Sequence, residues 1–523
     1  MSGKIFKSLA TVSGMTMASR VLGFIRQIFV AGVIGAGGNP VADAFWAAFR
    51  MPNMFRRLFA EGAFHAAFIP MFQGRRVDGG DLGAKAFAEE VLSGLIFILT
   101  ILTALVEIAT PMFVYMLASG FGDDPEKFEL TTLYTRIMFP YLMLMSLVGL
   151  YSGILNSLGR FAAAAAAPLA LNVCMIGALL FFANADTAVS GEALSWGVAL
   201  GGVIQLLIVL IGAWRSGFLL KLRLPRLTPS MKRLFALGAP GFISAGAVQI
   251  NLIIGTNIAS QEPGAVSWLM NADQLYQLPL SVIGIALGVV LLPMLSQRVK
   301  SGDEKGAARA LNRSLELSAL LCIPAAAAFV IMSGPICDAL FRGIAGDALG
   351  VFGVNGSAFT ERDVAMTGAA LAIFGLGLPA FVWHKIFSPA FFAREDTRTP
   401  MKYALISIAV NVVLSLSLFP VFGFLAVAIA TSFAAWLQVS LLAQQLYRQH
   451  YFRPSTKLIS RLLRVLLAAA AMAAFLIWAL NYTEALAVRV WDREWIVVMF
   501  LSGAGAVVYG LLAYLLGAAR LRD

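Results

Sequence analysis

Residues 91–118 read VLSGLIFILTILTALVEIATPMFVYMLA, a run of twenty-eight with a single charged side chain, Glu107. A helix of about 20 residues crosses the ~30 Å hydrocarbon core of a bilayer, and this run is long enough. Similar runs recur along the whole 523-residue chain, which is 59% hydrophobic and only 13% charged. A soluble protein of this size needs far more charge to cover its surface. Hydrocarbon cannot satisfy open backbone groups, so the crossing segments are helices. The short alternating segments of a membrane β-barrel do not occur in the sequence. The expected fold is an all-α polytopic membrane protein of about fourteen transmembrane helices. The spans fall at 8–34, 42–72, 91–118, 131–157, 161–183, 193–213, 233–259, 265–296, 312–336, 364–392, 401–420, 423–446, 459–481 and 495–517. The first span is long and carries two arginines without a small-residue cleavage site, so it reads as a retained helix.

The net charge of +11 follows the same map. With the N-terminus inside, 27 of the 39 Lys and Arg residues fall in inward segments, 5 in outward loops and 7 within spans or at their edges. That asymmetry predicts a multi-pass membrane protein with both termini in the cytoplasm. It also gives the basic balance a cause other than nucleic acid, and no basic stretch is interleaved with aromatics for base stacking.

The chain contains a spaced echo. Pro140 and Asn172 lie 32 residues apart, as do Pro379 and Asn411, an offset of 239. Asn172-Val173 recurs as Asn411-Val412, and Pro70-Met71 as Pro293-Met294. Two six-helix halves in the same orientation produce such a pattern, with a substrate site expected between them. The domain reading is 1–222 and 223–450 for the halves and 451–523 for two additional helices, with the basic segment from Arg215 to Arg233 as linker.

Five of the seven cations within spans, Arg20, Arg26, Arg50, Arg56 and Arg57, belong to the first two helices. Each costs on the order of 3 kcal/mol if it faces lipid; five together rival the net stability of a domain. They must face water, carboxylates or an anionic ligand. Asp43 and Glu61 are the available acids, which leaves a surplus of three positive charges. Asp43, Arg50, Arg57 and Glu61 share one stripe at four-three spacing, with Asn53 and Arg56 on the next. Pro52 removes a donor in mid-span and is expected to kink the helix. Arg20 and Arg26 lie about 120° apart on an ideal helix, so both reach one cavity only if it is wide or the helix bends near Gly23. Arginine suits phosphate because its planar fork holds two oxygens and stays charged. Structural ion pairing, such as Arg57 with Glu61, and snorkelling at span ends are the competing readings, strongest for Arg57 and Arg136.

Other candidates carry less. Glu107 stands alone in its span. Asp273 lies beside Gln274 and Gln277 and could pair with an arginine of the other half. His65, His384 and His450 are too scattered for zinc, and Cys174, Cys322 and Cys337 have no metal-ligand spacing. No nucleophile elbow or phosphate-cradling glycine loop stands out. No catalytic residue, metal or cofactor is expected.

The stretch Met15-Thr16-Met17-Ala18-Ser19-Arg20-Val21-Leu22-Gly23-Phe24-Ile25-Arg26 closely resembles the start of the MurJ (MviN) family of lipid II flippases. So do Ala42-Asp43-Ala44-Phe45 and the run from Pro52 to Phe64. Further likenesses are Val266-Ser267-Trp268, Ala272-Asp273, Gly288 to Pro293 and Ala393 to Pro400, with the resemblance thinnest after about residue 450. The family belongs to the multidrug/oligosaccharidyl-lipid/polysaccharide exporter superfamily. The resemblance implies two six-helix lobes around a central cavity, and two terminal helices forming a groove for a lipid tail. It implies that Arg20, Arg26 and Arg56 bind substrate, with Asp43 and Lys385 at charged family positions; Asn53 and Asp273 join them as candidates. Three positions depart from the family pattern: Gln27 where relatives often have an acid, Gln274 where Arg is common, and Gln277 where some have Glu.

The function so implied is alternating-access flipping of lipid II, an undecaprenyl-pyrophosphate glycopeptide, to the periplasmic leaflet for peptidoglycan synthesis. Membrane lipids, and cell-wall synthesis and division proteins, are the implied partners. Such a transporter is not an enzyme. The rivals are an exporter of another polyprenyl-linked glycan and a membrane-embedded glycosyltransferase. The latter needs an acid near an outer loop, where Asp338, Asp347, Glu361 and Asp363 read as solvated charge.

Overall fold

The computed structural model describes residues 2–59, 63–354, 356–482 and 493–518. These contain seventeen α-helices and no strand, with helix at 86%. Eleven are long and apolar enough to cross a membrane. The expected spans at 42–72, 233–259 and 265–296 are not among the eleven. The first of these carries Arg50 and Arg56, whose charge lowers its hydropathy. In the other two, side chains at 240–245 and 285–289 lie outside the described set. The count of fourteen thus remains an expectation.

The helices form two compact units. The first, residues 1–266 with 348–358, holds α1 (Ser2–Ile34), α2 (Pro40–Phe59), α3 (Ala63–Ile108), α4 (Thr110–Leu117), α5 (Pro125–Met138), α6 (Tyr141–Ser157), α7 (Phe161–Phe182), α8 (Thr187–Arg215) and α9 (Pro229–Ala259). In it α1 lies on α7, α2 on α5 and α6, α3 on α6 and α9, and α7 on α8. Phe45, Trp46, Phe68 and Phe72 are wholly or almost wholly buried there. Gly35 ends α1 at φ 70°, with the Ala358 carbonyl 2.8 Å from where a Cβ would sit, so both conformation and space call for glycine.

The segment 73–90, expected as a loop, is helical on both sides of Gly80, whose φ of 62° interrupts α3. Hydropathy marks where hydrocarbon ends, not where the helix does; solvated polar residues continue it. The basic linker is then tied to this extension. Arg223 pairs with Glu89 at 2.5 Å, the Lys221 N–H donates to Glu89 at 3.1 Å, and Thr228 donates to Glu90 at 2.9 Å.

The second unit, 267–347 with 359–523, holds most of α10 (Ala265–Lys300), then α11 (Glu304–Asp338), the first half of α12 (Ala345–Gly350), α13 (Glu361–Phe392), α14 (Arg398–Phe422), α15 (Leu425–Arg448), α16 (Thr456–Leu480) and α17 (Glu494–Leu515). Helix α11 is central, packing on α13, α16 and α17. Caps satisfy helix N–H groups where the chain turns: Asp303 for α11, Thr360 with Asp363 for α13, and Ser455 for α16.

Of the four outer-loop acids read as solvated charge, Glu361 is so, 87% exposed at its side chain, whereas the other three are engaged in the fold. Asp363 is 1% exposed and accepts the Trp268 Nε1–H at 2.7 Å. Asp347 accepts from Trp495 at 2.7 Å and pairs with Arg493 at 3.1 Å, while Asp338 and Glu361 share Arg342. A capping box and an indole leave Asp363 no exposed oxygen for chemistry.

Candidate substrate-binding site

Of the seven candidate residues, Arg20, Arg26, Asp43, Asn53 and Arg56 lie in the first unit; Asp273 and Lys385 lie in the second. Helix α1 is continuous through Gly23 and does not break there. Gly23 instead packs on Asn172 of α7, whose amide atoms are 3.7 and 3.8 Å from a Cβ position. Asn172 spans this contact. Its Nδ2 donates to the Ser19 carbonyl at 3.1 Å, and its Oδ1 accepts from Arg26 Nη1 at 3.1 Å. Met175 Sδ, one turn on, lies 3.7 Å from the same Nη1. Arg26 is half-buried and forms no ion pair among the described residues; its Nε is buried without a hydrogen-bond partner there. Arg20 is exposed.

Helix α2 remains helical through Pro52. Asn53 Nδ2 donates to the Phe49 carbonyl at 3.0 Å in the turn before the proline, and its Oδ1 accepts from Arg56 Nε at 3.2 Å. Asn53 is thereby a bracket for Arg56. Arg50 donates to Thr256 of α9. The side chain of Arg57 and all of Glu61 lie outside the described residues, so their pairing does too.

Asp43 is enclosed at 0% exposure. It pairs with Lys127 at 3.4 Å and accepts the Gly264 N–H at 2.7 Å. Lys127, 6% exposed at its side chain, also lies 5.2 Å over the Phe121 ring. The acid that shares a stripe with Arg50 thus has a lysine partner on another helix. Sequence reasoning missed Lys127, which it counted as an outward-loop cation, and Thr256. It quoted Asn172 only for the repeat. Glu107 is half-buried, with exposed Arg136 as its electrostatic partner.

In the second unit Asp273 is half-buried and accepts from Gln277 one turn on. Lys385 is exposed, and its stem passes α10 at Gly284 with Cγ 3.7 Å from a Cβ position. His384, beside it, hydrogen-bonds Ser388 and Gln438, each at 3.2 Å. A groove of about 510 Å³ is lined by α11, α13, α15 and α16, by residues such as Ile323, Trp383, Trp436 and Leu466. Of its fourteen lining residues none is charged.

Long apolar helices, with arginines among them that meet neutral side chains, and an apolar groove make up a polytopic membrane transporter fold. The solved structure described as "Lipid II flippase MurJ, inward closed conformation" shares that fold, at TM-score 0.77 and 23% identity over 96% of this chain and 98% of that one. An inward-facing multidrug resistance MATE transporter of the MOP superfamily follows at TM-score 0.66 and 14% identity, covering 84% and 97%. Residues 30–498 match the family described as Lipid II flippase MurJ, and the chain belongs to that family. A "Probable lipid II flippase MurJ" of Rhizobium tropici is 45% identical over 92% of this chain and 88% of its own. That of Rhizobium meliloti (strain 1021) is 47% identical over 91% and 87%. The "Lipid II flippase MurJ" of Burkholderia cenocepacia is 34% identical over 91% of each.

Proposed function

We propose that this chain carries lipid II from the cytoplasmic to the periplasmic leaflet of the inner membrane by alternating access, both of its termini being cytoplasmic. The observation that carries the reading is Arg26, a guanidinium inside a membrane helix held by the neutral oxygen of Asn172. A carboxylate partner would cancel the charge. An amide orients the fork and leaves it for an anion. Exposed Arg20, six residues earlier, and Arg56, steadied by Asn53, supply the same chemistry on α1 and α2. The diphosphate is the part of lipid II that such forks bind. Lys385 and half-buried Asp273 are proposed contacts of the second unit. The uncharged groove beside α16 suits the polyprenyl tail. The paired halves 1–222 and 223–450, with 451–523 appended, remain the reading that the sequence repeat supports. Flipping breaks no covalent bond, so no enzymatic residue is assigned.

The test is depletion in cells with an assay for lipid II exposed to the periplasm. Complementation by this chain should restore exposure. Restored growth with lipid II still confined to the cytoplasmic leaflet would reject the assignment.

A further inference from the structure

A cavity of about 720 Å³ opens between the end of α10 and the start of α11, on the face that the charge count places in the cytoplasm. Arg298, Arg309 and Arg313 line it, with Asp303 the one carboxylate among its lining residues. Arg298 lies 3.8 Å from Asp303, and its side chain is 38% exposed. Arg309 is exposed, and its Nε donates to the Lys305 carbonyl of its own helix at 3.4 Å. Arg313 lies 3.2 Å from Glu316, which also pairs with Arg461 of α16 at 2.6 Å. Among the described residues four guanidiniums thus meet two carboxylates, a positive surplus.

The basin leads, through a narrow slot that also carries Glu316 and Arg461, to the uncharged groove. Arg313 and Leu317 line both the basin and this slot against α16; Leu462 lines both the slot and the uncharged groove. Arg313, Leu317, Leu320, Ile323, Ala327 and Val330 follow one another at three or four residues, so they lie along one side of α11. At 1.5 Å per residue this stripe is about 25 Å long, the length of a lipid chain and not of a small anion.

We propose that this basin binds the phosphate head of a membrane lipid from the cytoplasmic leaflet, with the lipid's chain laid along the α11 stripe into the groove. Arginine forks take phosphate oxygens in pairs, and the apolar stripe supplies the rest of the recognition. On the flippase reading, on which this clause rests, the natural occupant is the incoming polyprenyl diphosphate, held in a loading position outside the arginines of α1 and α2.

The experiment uses the purified full chain in detergent. Undecaprenyl diphosphate, phosphatidylglycerol, phosphatidylcholine and sodium pyrophosphate are titrated separately. The double variant Arg298→Gln/Arg309→Gln removes charge from two exposed or half-exposed side chains, and thermal melting checks its fold. Its Kd for undecaprenyl diphosphate should rise about ten-fold or more, while phosphatidylcholine should be indifferent. Leu462→Arg, at the slot, should weaken the lipid and leave pyrophosphate unchanged. Equal weakening of phosphatidylglycerol supports the site with an ordinary anionic phospholipid as occupant. Unchanged lipid affinity in the well-folded double variant overturns the proposal. So does pyrophosphate binding as tightly as the lipid, the mark of an adventitious anion. The complementation assay reads transport separately from these affinities, so failure of the transport reading and failure of the basin are told apart.

Discussion

Asn172 holds Arg26 from the helix opposite: Oδ1 accepts from Nη1 at 3.1 Å while Nδ2 ties down the Ser19 carbonyl at 3.1 Å. One amide therefore fixes both the arginine and the turn of α1 before Gly23. Because it is neutral, it orients the guanidinium without cancelling its field. Asn172→Ala should retain membrane abundance and lower transport about ten-fold, the effect of losing roughly 1.4 kcal/mol of positioning. Asn172→Asp should be worse than Ala, since a carboxylate at that distance competes with the diphosphate. Complementation with quantified lipid II exposure measures both. Asp behaving better than Ala would mean that Arg26 needs a counter-ion, and the anion-binding role would fall.

Arg20, Arg26 and Arg56 should each be needed, with Lys a poor substitute for any of them. A charge-assisted hydrogen bond contributes about 1.5–3 kcal/mol, so each Ala variant should lose roughly ten- to more than a hundred-fold in substrate capture. Lysine keeps the charge without the fork and should recover only part. Arg20 separates the readings best, because it is exposed and its removal leaves the helix contacts of α1 unchanged. Abundant, well-folded Ala variants that still export lipid II at the normal rate would defeat the assignment.

Topology can be read by single cysteines. Lys305→Cys should resist a membrane-impermeant thiol reagent added from the periplasm, and Gly350→Cys should react. The native thiols interfere little, since Cys322 and Cys337 are buried and Cys174 is half-buried. The reverse pattern would invert the map and move the arginine basin to the other leaflet.

The membrane helices were legible because hydrocarbon imposes one rule on every crossing segment, and runs such as 91–118 obey it whatever they pack against. What lay outside that rule was harder to read. Gly80 sits in a helix that continues among Arg75, Asp81 and Glu90, beyond any hydropathy signal. The arginines stood out because their cost in lipid depends only on their position along the chain. Their partners did not. Arg26 with Asn172, Arg50 with Thr256 and Asp43 with Lys127 are separated by 146, 206 and 84 residues, and helical spacing reports only neighbours within one helix. Asp363 shows the same limit: its number suggests a loop acid, and only the fold supplies the Trp268 indole that it holds.

Asp43 provides the sharpest division between binding and architecture. Its carboxylate is 0% exposed and engaged by both Lys127 and the Gly264 N–H. Removing one member of a buried pair strands the other charge, at a cost of about 3–5 kcal/mol, whereas replacing both with neutral groups is often close to neutral. Asp43→Asn can still accept from Gly264 but leaves Lys127, at 6% side-chain exposure, to the more distant and half-exposed Asp124 carboxylate at 4.0 Å. It should lower the melting temperature in detergent and the amount of protein in the membrane. Asp43→Asn/Lys127→Met should recover most of both, because the stranded ammonium is gone. If Asp43 instead acts on substrate, the single variant will melt normally, fail in lipid II export, and gain nothing from the change at Lys127. Thermal melting and export, measured on the same three proteins, decide between a latch and a ligand. The enclosure of the carboxylate predicts the latch: a parallel loss and recovery of stability and transport.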